Sequence, residues 1–186
     1  MSQTPEFIAR LTSDRLFGPG ERARLRALAG RGLDADVPGF DIFTGLWWPL
    51  RQKSPRAPER ATAWMVAKLF GAFPIPPDRH ERAELARVLG QWERSLRNEF
   101  DRKRFRSRFD ALLQSPLSAL EPHLRWALSV VRKAVGQKQI NGLDWVRLLD
   151  DLRLWIRGPD KQDENPDRRE RDVRDVWAGQ YLNVTK

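Results

Sequence analysis

Apolar residues in this chain recur at intervals of three and four rather than two, a period that predicts helices almost from end to end. A first short helix is expected at Glu6–Leu11. The Gly18-Pro19-Gly20 turn then opens a basic helix from about Glu21 to Leu28, closed by Gly30 and Gly32. Pro38 starts a segment in which Phe40, Phe43, Leu46 and Trp47 keep helical spacing, and Pro49 to Pro58 reads as a loop rich in Pro, Arg and Lys. A helix over Glu59–Phe70 buries Trp64, Val66, Ala67 and Phe70. Beyond the rigid connector Phe73-Pro74-Ile75-Pro76-Pro77, Asp78 is placed as the N-cap of a long helix reaching about Leu96. Its apolar face is Leu85, Val88, Leu89, Trp92 and Leu96.

The second half repeats the pattern with sharper stripes. Phe105, Phe109, Leu112 and Leu113 share one face of a helix expected over Asp101–Leu113. Ser115-Pro116 caps the next helical stretch, in which Leu120, Leu124, Leu128, Val131 and Val135 form a stripe that Gly136 ends. Asn141-Gly142 marks a turn. Residues 143–157 give the clearest helix, with Trp145, Leu148, Leu149, Leu152, Trp155 and Ile156 on one side and Gly158-Pro159 as its stop. The stretch 160–167 is polar, and a last helix covers about Arg169–Leu182. No strand and no internal repeat is expected. The fold class is therefore all-α, a helical bundle of about eight or nine helices, with an N-terminal part over 1–100 and a C-terminal bundle over 101–186.

Composition narrows the function classes. Apolar residues are 40% of the 186, with eight Trp and nine Phe, which is enough to build a core. No apolar run approaches the ~20 residues that span a bilayer, and Met1 to Arg10 lacks the layout of a signal peptide, so a cytoplasmic protein away from membranes is expected. The absence of cysteine removes disulfides, a thiolate nucleophile and a zinc finger. The two histidines, His80 and His123, have no ligand partner at i+4, and no Gly-rich phosphate loop or nucleophile motif occurs. Catalytic residues, a metal site and a cofactor are accordingly not assigned.

The nearest approach to paired acid chemistry is Asp144, Asp150 and Asp151. With Arg147 they read as a surface ladder of i,i+3 and i,i+4 ion pairs. The same carboxylates are the set that a helical metal-dependent nuclease would use. A helix-turn-helix regulator is a further alternative. It calls for a compact motif with a polar, base-reading second helix, whereas the helices here are flanked by long Pro loops.

Charge gives the chain its direction. The formal net charge is +9, and it is unevenly spread: residues 1–138 hold 25 bases and 15 acids, residues 139–186 hold 9 and 10. Twenty-seven of the bases are Arg, which suits bidentate phosphate contacts but also fits a GC-rich genome. The bases fall into three helical groups. Arg22, Arg24 and Arg26 surround an inward Leu25 and Leu28; Arg102, Lys103, Arg104, Arg106 and Arg108 flank the Phe105/Phe109 face; Arg125 and Arg132 project from one side, followed by Lys133 and Lys138. Basic helix faces of this kind hold phosphate backbones. The candidate nucleic-acid-binding residues are Arg24, Arg26, Arg102, Arg104, Arg106, Arg108, Arg125, Arg132, Lys133 and Lys138. Of the tryptophans, Trp64, Trp92, Trp145 and Trp155 fall on apolar stripes and are expected in the core. Trp47 and Trp48 are adjacent and cannot both face one core, so Trp48 is the candidate exposed aromatic.

Six segments in order carry a family resemblance: "ERARLRALAG", "DADVPGF", "FRSRFDALL", "LRWALSVVRKA", "INGLDWVRLLDDLRLW" and "VRDVWAGQYL". Together, over roughly Glu21 to Leu182, they resemble the CasB family, the small subunit of the type I-E CRISPR surveillance complex Cascade. The resemblance implies an all-helical, non-enzymatic subunit of an antiviral defense complex. It implies two copies head to tail along the belly of that complex, beside the backbone and large subunits. It also implies contact with guide RNA and target DNA, and stabilisation of the displaced strand of the R-loop. On the family's pattern, Arg26 matches a basic residue of the first motif. Arg106 and Arg108 match the Arg-rich start of the "F-x-x-L-L" helix, and Arg125 with Arg132 and Lys133 match the basic helix after it. Ala27 departs from the pattern where a second Arg is expected, and Arg24 is the candidate to take over that contact. The stretch 160–169 is longer than the family's pattern and is assigned no role.

Overall fold

In the computed structural model, residues 3–31, 40–78, 83–157 and 172–185 are described. The expected stops at Gly32 and Gly158-Pro159, the start at Pro38, His80 and the stretch 160–169 lie outside them. The described residues contain nine helices: α1 (Thr4–Leu11), α2 (Pro19–Ala27), α3 (Phe40–Lys53), α4 (Arg60–Ala72), α5 (Leu85–Ser95), α6 (Glu99–Gln114), α7 (Leu117–Gly136), α8 (Trp145–Arg157) and α9 (Val173–Thr185). The only β pairing among them is a parallel bridge between Pro77 and Leu143.

α4 is the helix against which α2, α3, α7 and α8 all pack. It is apolar nearly all round and buries residues on every side, including Thr62, Trp64, Val66, Lys68, Leu69 and Gly71. α2 crosses it closely because position 71 is glycine: a Cβ there would meet the Arg22 carbonyl and the Leu25 Cβ at 2.9 Å. The same device brings α9 onto α5, where a Cβ on Gly90 would meet the Tyr181 carbonyl oxygen at 2.6 Å. Helix packings of α1 on α8, α4 on α7 and α8, and α5 on α7 and α9 all cross residue 100. The buried side chains before and after residue 100 accordingly form one cluster, from Phe7 to Tyr181.

Tryptophan fastens this core at the segment ends. Indole N–H groups of Trp47, Trp145 and Trp155 donate to the carbonyls of Pro58 (2.8 Å), Ile75 (2.9 Å) and Ser115 (3.1 Å), and Trp177 donates to Asp151 Oδ2 (2.7 Å). Each ring buries a large apolar area while its one polar group is satisfied on a neighbouring segment. Trp145 thereby explains the "LDW" opening of α8. Its indole bonds the Phe73–Pro77 connector, and the Leu143 and Asp78 N–H groups donate to Pro76 and Leu143 carbonyls at 2.9 Å.

Most boundaries fall within four residues of the sequence expectation, and two depart further. α3 runs through Pro49 to Lys53 instead of stopping. An interior proline costs about 3 kcal/mol. However, Leu50 completes the buried stripe of Phe43 and Leu46 and is fully buried, a gain of about 1.5–3 kcal/mol that offsets most of that cost. Asp78 does not cap α5, which begins at Leu85 after Glu84. Its Oδ2 instead accepts from the Ala83 N–H at 2.8 Å, closing the approach to the helix.

Candidate nucleic-acid interface

The Phe105–Phe109–Leu112 stripe of α6 is buried, so the residues between its members are left on two flanks. One flank carries Arg102 and Arg106, the other Arg104 and Arg108, each pair four apart and so stacked along the helix. Arg102 and Arg106 turn toward α5. Arg102 Nε donates to the Leu96 carbonyl at 2.8 Å, satisfying the open C-terminal end of α5. Arg106 Nε donates to Glu93 Oε1 at 2.6 Å. Glu93 is buried and its other oxygen accepts from the Tyr181 hydroxyl, so Arg106 is the counter-charge of a buried carboxylate. Burial and the adjacent Glu93 carboxylate push the Tyr181 hydroxyl above its ordinary range, and it stays a donor.

Arg104 and Arg108 are exposed on the flank facing α7. The Arg108 guanidinium lies 5.9 Å from the Trp126 ring centroid, and Phe105 packs against the same ring at 5.0 Å. α7 adds exposed Arg125, Arg132 and Lys133. Lys133 lies seven residues beyond Trp126 and so continues its stripe, whereas Arg125 and Arg132 share the adjacent one. Arg132 rests over Phe73, 5.4 Å from its centroid, on the side of the connector. Lys138 is exposed just past the end of α7 with φ 57°, the left-handed position that terminates helices.

The structure therefore brings Arg104, Arg108, Arg125, Arg132 and Lys133 onto one helical hairpin. It leaves Arg24 and Arg26 apart, exposed on α2, which packs chiefly on α4. Arg22 of the same group serves the fold: it pairs with Asp14 and lies over Phe70. Trp48 is exposed, as its position predicts.

The three aspartates do not gather. Asp144 Oδ1 accepts from the Arg147 N–H at 2.8 Å and caps α8, in place of the expected side-chain pair with Arg147. Asp150 accepts from Thr4 Oγ1 at 2.7 Å. Asp151 is buried, held by Trp177 and by Arg147 Nε at 2.8 Å. Burial pushes its carboxyl up to about 6, against the pull of Trp177 and Arg147. Among the described residues no group of three His, Cys, Asp or Glu side chains could hold a metal ion. Nor is any described helix long and apolar enough to cross a membrane.

The sequence model of the CRISPR-associated protein Cse2 family matches residues 21–182. The chain belongs to the Cse2 family. Among solved structures it is similar to CasB from Thermus thermophilus, with 26% identity, a TM-score of 0.64, and coverage of 98% of this chain and 99% of that one. It is likewise similar to a second structure from Thermus thermophilus, of a CRISPR-associated protein of the Cse2 family, at 26% identity and TM-score 0.63 over 98% and 99% of the two chains. CasB from M. ruber shares the fold, at 21% identity and TM-score 0.66 over 99% and 94%. No curated protein matches the chain. Membership of the Cse2 family supports the expectation of a CRISPR Cascade subunit.

Two features escaped the sequence reading. Trp92 sits on an apolar stripe yet is only partly buried, and with Trp126 it lines a groove between α5, α6 and α7. Lys68 is buried and donates to the Arg31 carbonyl (2.6 Å) and Glu121 Oε2 (2.8 Å), while Glu121 Oε1 accepts from the Gly30 N–H (2.6 Å). This ion pair ties α7 to α4 and to the end of α2. Only the position of Lys68 inside "WMVAKLF", among residues that α4 buries, hints at it.

Proposed function

We propose that this protein is a non-catalytic, nucleic-acid-binding subunit of a type I-E Cascade complex. In this role it steadies the guide RNA–target DNA assembly and holds the displaced strand of the R-loop. The observation that carries the reading is the outward placement of Arg104, Arg108, Arg125, Arg132 and Lys133 on α6 and α7, with Arg24 and Arg26 as a separate contact on α2. Such side chains neutralise phosphates without reading bases. In an RNA-guided complex the sequence is read by base pairing, so a sequence-blind surface is sufficient. R-loop formation is close to balanced, and a few backbone contacts tip it. Its partners are the guide RNA, the target DNA with its displaced single strand, the backbone and large subunits, and a second copy of itself placed head to tail. Family membership supports these assignments, and the dispersal of Asp144, Asp150 and Asp151 favours them over a metal-dependent nuclease.

The test is co-expression with the other Cascade subunits and a guide RNA, followed by R-loop lifetime measurements. The protein is expected to co-purify with them, and Arg104→Glu/Arg108→Glu/Arg132→Glu to shorten the lifetime without loss of assembly. Unchanged lifetimes would sink the role assigned to this surface.

A further inference from the structure

Five of the eight tryptophans donate their indole N–H to a named acceptor, and Trp64, Trp145, Trp155 and Trp177 of these are buried. Trp92 and Trp126 are different. Both are partly open to solvent, and neither indole makes a hydrogen bond among the described residues. They stand on two walls of one groove, whose volume of about 360 Å³ is within the range that ligand sites occupy. Leu96 and Phe105 supply further apolar lining, and Arg104 and Arg108 bring positive charge. A guanidinium over an indole, as Arg108 lies over Trp126, is a planar cation in the place where a planar base stacks equally well. Asp101, the lone carboxylate lining the groove, repels phosphate but accepts from a base N–H.

We infer that this groove seats one unpaired nucleobase, stacked against Trp126 and Trp92, while Arg104 and Arg108 hold the flanking phosphates. Charge and shape together fix the occupant: two cations beside aromatic walls suit a nucleotide, whose link is anionic and whose base stacks, whereas an acidic side chain would meet the cations but offer no face to the indoles. The inference rests on the proposed binding of single-stranded nucleic acid and adds a base-dependent contact to it. The contact is blind to sequence, because every base has a face to stack.

The two claims separate in one experiment. The affinity of the native protein is measured for a short oligothymidylate and for an abasic strand of the same length. The abasic strand is expected to bind about tenfold more weakly, the effect of one lost stack. Trp126→Leu is expected to bring the two strands together while leaving the salt slope intact, and Trp126→Phe to restore the difference. Equal affinities for both strands in the native protein would overturn the inference and leave the phosphate track standing. No binding of either strand would remove both. Should Trp126→Leu fail to fold, a 2-aminopurine placed in the strand decides: quenching on binding the native protein supports the stack, and unchanged emission contradicts it.

Discussion

The α6–α7 hairpin and the α8–α9 pair spend their charges in opposite directions. On the hairpin, Arg104, Arg108, Arg125 and Arg132 face solvent. On the pair, Asp151 is buried beneath Arg147 and Trp177, Asp144 caps its own helix, and Asp150 reaches Thr4. The near-neutral last quarter of the chain thus includes charges that the fold has put to use. α6 holds the same contrast within itself: Arg102 and Arg106 satisfy α5 and Glu93, and Arg104 and Arg108, on the other flank, do not. Charge density alone therefore locates a basic helix, and the partner of each side chain decides which bases remain for a ligand.

That contrast predicts that charges paired within the fold govern stability and those left facing solvent govern binding. The largest effect belongs to Lys68. Lys68→Met leaves the Glu121 carboxylate largely buried and without its cation, and should cost about 3–5 kcal/mol in urea unfolding. Adding Glu121→Leu should recover much of the loss. A single variant as stable as the native protein would mean that the pair carries no structural weight.

Asp151 comes next. Its carboxyl titrates near 6 in the fold and near 3.8 when unfolded. The unfolded chain releases this proton first, so stability falls as pH rises from about 4 to 6, and the penalty is complete above 6. Its size is on the order of 3 kcal/mol. Asp151→Asn should flatten that part of the stability profile, and an unaltered slope would assign the pH dependence to other groups.

Arg106→Ala should cost about 1.5–3 kcal/mol, since it removes a charged hydrogen bond from buried Glu93, while leaving the salt dependence of binding close to native. Arg104→Ala should do the reverse, with stability within about 0.5 kcal/mol of native and weaker binding. If Arg106 and Arg104 proved interchangeable in both measurements, the division of α6 into two flanks would fail.

Much of this was legible in the sequence. The helices were readable because apolar stripes such as Leu120–Leu124–Leu128–Val131 follow one period and because Gly and Pro punctuate them. What escaped depended on contacts and burial that helical periodicity does not encode. Pro49 looks like a stop until Leu50 is seen to be buried. Asp78 looks like a cap until its carboxylate is found on Ala83. Arg102 and Arg106 read the same as Arg104 and Arg108 in the sequence, because the helical pattern of α6 does not show that the Leu96 carbonyl and Glu93 accept from them. Trp92 shares the stripe of Leu85 and Leu89, and only the arrangement of α5, α6 and α7 leaves it open.

The central claim is that the Arg104/Arg108 flank of α6 holds phosphates and the Arg102/Arg106 flank, paired with α5, holds the fold. Its most direct test is the salt dependence of single-stranded DNA binding in Arg104→Glu/Arg108→Glu beside Arg106→Ala. Each lost phosphate contact lowers the slope of log affinity against log salt by about 0.7. The double variant should therefore lose about 1.4 with its melting temperature unchanged, and Arg106→Ala should lose melting temperature with its slope unchanged. A native slope in the double variant, or the slope loss appearing in Arg106→Ala instead, would contradict the account.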